Sequence, residues 1–131
     1  MKKFLVEDNN VLPYIKVTMP EVVDSSALDK LKDKLLACPG FQTKDQLIDY
    51  SGVTHYTISS ADLRRYVNGY GIRKVLDEAR AGRRIALVAP TDMEFGMARV
   101  FLSNTEDLPA SYQVFRALED ALQWLDQPPV D

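Results

Sequence analysis

The chain has 131 residues, the length of one ordinary domain, since globular domains most often run to about 100–150 residues; a single domain over 1–131 is expected. An apolar share of 46% with 27% charged residues suits a chain that buries a core without staples. No apolar run approaches the roughly 20 residues that span a bilayer, which excludes an integral membrane segment. Sixteen basic against nineteen acidic side chains give a net charge of −3, which offers phosphate backbones no overall attraction, so no nucleic-acid partner is expected. The one cysteine, Cys38, cannot form an internal disulfide, and Glu7 and Asp8 do not suit a signal or transit peptide. The expected compartment is the cytoplasm.

Phe4-Leu5-Val6 and Tyr14-Ile15-Lys16-Val17-Thr18 read as two strands of a hairpin, with turn chemistry in Asp8-Asn9-Asn10. Asp24 or Ser25 caps a helix whose apolar positions Leu28, Leu31, Leu35 and Leu36 recur at helical spacing, until Pro39-Gly40 stops it. Leu47-Ile48-Asp49-Tyr50 is a short strand, a loop runs through Gly52 and His55, and Ser59-Ser60-Ala61-Asp62 has the spacing of a capping box. The helix it opens turns Leu63, Tyr66, Val67 and Tyr70 inward. Gly69 and Gly71 predict a break before a second helix carrying Ile72, Val75, Leu76 and Ala79, with Gly82 as its C′ residue.

Arg84-Ile85-Ala86-Leu87-Val88-Ala89-Pro90 has the uninterrupted apolar run of a strand covered on both faces, and reads as the central strand. Thr91-Asp92-Met93-Glu94 has capping-box spacing and opens a helix with Met93, Met97, Val100 and Phe101 as its buried stripe. Gly96 costs that helix about 1 kcal/mol relative to alanine, which predicts close approach of another backbone or ring. Tyr112-Gln113-Val114-Phe115 supplies a last strand. A last helix faces Leu118, Ala121, Leu122 and Leu125 inward before Pro128-Pro129. Strands alternating with helices require crossovers. The fold class is α/β, with a mixed, mainly parallel four-to-five-stranded sheet, an N-terminal antiparallel hairpin and flanking helices.

The run Leu47–Val53, followed by Ile58-Ser59-Ser60-Ala61-Asp62-Leu63, resembles the strand, loop and helix start of STAS domains, the SpoIIAA-like anti-sigma-factor antagonists. Arg84–Val88, Phe95-Gly96-Met97-Ala98-Arg99, Val114-Phe115 and Ala121-Leu122-Gln123-Trp124-Leu125 are similar to small stand-alone bacterial proteins described as SpoIIAA-like or STAS/SEC14-like. The resemblance spans the chain from the hairpin to Trp124 and implies a STAS/SpoIIAA-like fold without family catalytic residues. It implies a non-catalytic regulatory or interaction module with a protein partner. It also places a phospho-acceptor at Ser60, while Ser59 stands where the antagonists usually have aspartate. Read from the residues alone, Ser59 is a helix cap. The SEC14-like side of the resemblance implies an apolar, lipid-like small molecule.

His55 is the only histidine and Cys38 the only cysteine, so neither a histidine triad nor zinc-ligand spacing exists in the sequence, and no cofactor or metal is expected. Ligands of open α/β sheets sit beyond the carboxyl ends of parallel strands. That rule nominates Asp49, Ser51, His55 and Tyr56 after one strand and Thr91, Asp92 and Phe95 after another, with Tyr50 and Met93 beside them. An enzyme would need Asp49, His55 or Asp92 as acid or base in a cleft. Seven basic side chains against two acidic between 63 and 84, and one against six between 104 and 131, form opposed charge blocks that suit a partner or an ordinary solvated face. Apolar residues on more than one face of the Phe95–Leu102 helix suit a homodimer.

Overall fold

The computed structural model describes residues 4–68 and 76–127, so the expected break at Gly69-Tyr70-Gly71, together with Ile72 and Val75, lies outside the described residues. In chain order the elements are β1 (Leu5–Glu7), β2 (Tyr14–Thr18), β3 (Val22–Val23), α1 (Ser25–Leu36), β4 (Asp45–Asp49), β5 (His55–Tyr56), α2 (Ser60–Asn68), α3 (Asp77–Ala79), β6 (Arg84–Val88), α4 (Asp92–Ser103), β7 (Ser111–Phe115) and α5 (Leu118–Asp126). The main sheet runs β1-β2-β4-β6-β7, and β3 pairs with β5 in a separate two-stranded ribbon. β1 is antiparallel to β2, Val6 opposite Val17, and every other pairing in the main sheet is parallel. The hairpin and the mixed, mainly parallel sheet are therefore as expected. The middle place belongs to β4, however, with the apolar β6 next to it.

Strand side chains alternate between faces, and here the alternation separates two cores. Ile15, Val17, Ile48, Ile85 and Leu87 face the layer built from α1, with Leu28, Leu31 and Leu35, and from the inner sides of α2 and α4. Leu47, Ala86 and Val88 face the other way, onto Ala121, Leu122, Trp124 and Leu125 of α5. The Asp24 carboxylate accepts from Ala27 N at 2.8 Å and caps α1. The Ser59 hydroxyl accepts from Asp62 N while Asp62 Oδ2 accepts from Ser59 N, both at 3.1 Å, a reciprocal box opening α2. Gly82, at φ +82°, ends the α3 turn in the left-handed region that glycine adopts without a Cβ penalty.

Three expectations are corrected. Leu36 and Leu118 point outward. On α4, Met93 and Val100 are 58% and 47% exposed, so the inward stripe is Glu94, Met97, Ala98, Phe101 and Leu102: Met97 and Phe101 stand as expected, Met93 and Val100 do not. Gly96 is exposed, and a Cβ built there meets nothing within 4 Å, so no neighbour requires glycine. No described helix is long and apolar enough to cross a membrane.

Candidate functional site

A cavity of about 70 Å³ lies in the layer between the sheet and helices α1, α2 and α4. Most of its wall is aliphatic, including Leu31, Ile48, Leu63, Leu87 and Ala98, and it also carries Tyr50, Tyr56, Tyr66, Tyr112, Arg80 and Glu94. These polar groups arrive from separate parts of the chain. Tyr50 follows β4, Tyr56 sits on the ribbon, Tyr66 on α2, Arg80 follows the α3 turn, Glu94 is in the first turn of α4 and Tyr112 is on β7.

At one end stands a buried polar network. Arg80 is 2% exposed, and Asp77 and Gln46 are wholly buried. Arg80 donates from Nε to Asp77 Oδ1 at 2.7 Å, from Nη1 to Gln46 Oε1 at 2.6 Å and from Nη2 to the Tyr112 hydroxyl at 2.8 Å. The Tyr112 hydroxyl donates to Asp77 Oδ1 at 2.6 Å. The guanidinium lies over the rings of Tyr112 and Phe41, 5.6 and 6.0 Å from their centroids. Burial works against the Arg80 charge, but Tyr112 and Asp77 offset it, and the arginine pKa stands above its usual value. Burial also raises the Tyr112 phenol pKa, an effect that Arg80 opposes and Asp77 reinforces. Among the described residues Gln46 Nε2 and Asp77 Oδ2 have no hydrogen-bond partner.

At the other end Glu94, 4% exposed, accepts from the Tyr56 hydroxyl at 2.7 Å and from the Thr91 hydroxyl at 2.8 Å. Thr91 Oγ1 in turn accepts from Glu94 N at 3.1 Å, which caps α4. Burial and then the Glu94 hydrogen bond raise the Tyr56 pKa. Tyr50 is pushed up to about 12, first by burial and then by the Glu94 charge. Tyr66 is raised by burial, against the influence of Arg80 and with that of Tyr50. All four phenols therefore hold their protons at neutral pH.

The nominated residues do not converge. Tyr56 lines the cavity, and Thr91 reaches the same cluster through Glu94. Asp49 accepts from Ser51 N at 2.9 Å in an exposed turn, and His55 Nδ1 lies 2.9 Å from Thr54 Oγ1, also exposed. Asp92 and Phe95 share Arg116 on the surface, whose Nη1 donates to Asp92 Oδ1 at 2.6 Å and whose guanidinium sits 4.5 Å from the Phe95 centroid. Ser60 is exposed at the start of α2.

The expected basic block is dispersed. Arg80 is internal, and Arg84 is tied to Asp45 and to the carbonyls of Trp124 and Leu125. Arg73 and Lys74 lie outside the described residues. Cys38 donates to Lys34 O at 3.3 Å, and burial raises its thiol pKa. No group of three metal-ligating side chains occurs among the described residues. Sequence reasoning missed Glu94 as a cavity group, and also Arg80, Tyr66 and Tyr112. The available signals were the Asp77/Arg80 spacing of three and the placement of Tyr112 on the same strand face as Val114.

Neither a protein-family model nor a curated protein matches the chain. Its structure is similar to the crystal structure of an uncharacterised protein of the DUF3478 family from Shewanella loihica PV-4, which has a SpoIIAA-like fold. The two are 18% identical, and the match covers 94% of this chain and 92% of that one at a TM-score of 0.54. The fold of this chain is SpoIIAA-like.

Proposed function

We propose that this chain is a single-domain, non-catalytic regulatory module that takes a small, largely apolar molecule between its sheet and helices α1, α2 and α4. The cavity carries this reading, because its wall is mostly apolar with a few placed polar groups, the usual character of a small-molecule site. Those polar groups are held in place. Arg80 is tied to three partners and Glu94 accepts from two hydroxyls, an arrangement that orients a guest.

Xenon under pressure, followed by amide NMR, tests the reading, since xenon enters dry apolar cavities. Shifts are expected at Ala89, Ala98 and Tyr112. They should vanish in Ala98→Phe, which fills the space. Unmoved amides at all three positions in the wild type would sink it.

The placement of α2 favours a second reading, in which a protein partner recognises this surface. The helix walls the cavity through Leu63 and Tyr66 and exposes Ser60 at its start. A phosphate there would add about two negative charges at a helix N-terminus and change what the partner meets. Phosphate on Ser60 is expected in protein recovered from its own cells, and its absence across growth conditions removes the switch. Exposed Met93 and Val100 on α4 support a homodimer. Light scattering at micromolar concentration should give twice the monomer mass for the wild type and the monomer mass for Val100→Lys; a monomeric wild type removes the dimer.

A further inference from the structure

Glu94 forms part of the cavity wall yet is almost entirely enclosed. Its oxygens accept from two uncharged donors, the hydroxyls of Tyr56 and Thr91. Among the described residues it has no ion-pair partner. A buried carboxylate is costly unless charge or enough donors compensate it, and each of its oxygens has room for a further hydrogen bond. Arg80, the other charged group on the wall, is matched by Asp77 at 2.7 Å, so Asp77, Arg80 and Glu94 together carry one excess negative charge. Tyr50, Tyr56, Tyr66 and Phe101 bring aromatic rings to the same wall, and the faces of such rings attract cations. An engineered cavity of about 150 Å³ accepts benzene, so about 70 Å³ suits about three heavy atoms.

We propose that the cavity takes a small alkylammonium cation, with its N–H on Glu94 and its methyl groups among the aromatic and aliphatic side chains. This rests on the ligand-binding reading and names the chemical class of the ligand. Arg80 does not oppose it, because Asp77 holds that charge at the other end of the cavity.

The dimethylammonium cation and ethanol have equal numbers of heavy atoms and differ in charge. Each is titrated into isotope-labelled protein at constant ionic strength while the amides of Tyr50, Glu94 and Ala98 are followed. The cation should bind about tenfold or more tightly than the alcohol, because both can donate to the carboxylate but only the cation offsets its charge. Glu94→Gln should erase that preference. Equal affinities in the wild type overturn the cation inference and leave ligand binding standing; failure of both probes overturns the two together. The wild-type comparison decides the matter even where the variant does not fold.

Discussion

Arg80 Nε lies 2.7 Å from Asp77 Oδ1 at a point in the interior where the two side chains are 2% and 0% exposed. The pair ties the α3 turn to β4 through Gln46 and to β7 through Tyr112. Removing one member leaves the other as an uncompensated buried charge, which typically costs about 3–5 kcal/mol. Arg80→Met and Asp77→Asn should therefore each lower the unfolding free energy by about that amount in urea denaturation. The double variant Asp77→Leu/Arg80→Met should recover much of the loss, because apolar replacements leave no charge behind. A single-variant cost within about 0.5 kcal/mol, as at an ordinary surface site, would contradict the buried pair.

Alkaline titration reads the cavity wall directly. The Tyr50 pKa is pushed up to about 12, mainly by burial, and those of Tyr56, Tyr66 and Tyr112 also stand above the ordinary value of 10.0. A phenol whose pKa is higher folded than unfolded contributes stability that is complete below pH 10 and is lost as pH rises toward its folded value. Phenolate absorbance from these four side chains should therefore appear together with unfolding, above about pH 12 for Tyr50. Tyr66→Phe should remove one late-titrating phenol. Free titration of all the tyrosines near pH 10 with the fold intact would show that the wall is open to water.

The elements were legible because the period of apolar residues and the caps agree. Leu28, Leu31 and Leu35 share the buried side of α1, Asp24 and Thr91 cap their helices, and the apolar run of β6 lies inside the sheet. Local pattern could not reveal partners distant in sequence. In sequence Arg80 is one more cation of a basic block, because Gln46 and Tyr112, which receive its hydrogen bonds, are 34 and 32 residues away. The sequence shows Glu94 only as a cap residue, because its bond to Thr91 is local whereas Tyr56 is 38 residues distant. Met93 and Val100 do share one side of α4 at helical spacing, but periodicity does not say which side meets the sheet.

Gly96 carries its helix cost with no close neighbour to require it. With nothing within 4 Å of an added Cβ, alanine introduces no clash and removes the conformational freedom that glycine keeps in the unfolded chain. Gly96→Ala should stabilise by up to about 1 kcal/mol and raise Tm by a few degrees in calorimetry. An unchanged or lowered Tm would mean that α4 packs against something at this exposed position.

The link between the N-terminal hairpin and the turn after α1 should weaken in acid. Asp8 Oδ1 accepts from Lys44 Nζ at 2.7 Å and Oδ2 accepts from Gly40 N at 2.6 Å. The Lys44 hydrogen bond is the largest influence on Asp8; burial opposes it and the Gly40 bond adds to it, leaving the carboxyl below the ordinary aspartate value of 3.8. A group whose pKa is lower folded than unfolded contributes stability that is complete well above the unfolded value and is lost as pH falls through the folded one. The stabilising contribution of Asp8 should therefore be full at neutral pH and fall away progressively as pH drops below the ordinary aspartate value of 3.8. Asp8→Asn should lower stability at pH 7 and remove this part of the acid dependence, while Lys44→Met should lower stability at pH 7 and shift the remaining Asp8 transition upward. Denaturation midpoints measured from pH 2 to pH 7 decide the point, since parallel curves for wild type and Asp8→Asn would mean that the carboxyl contributes nothing that depends on its charge.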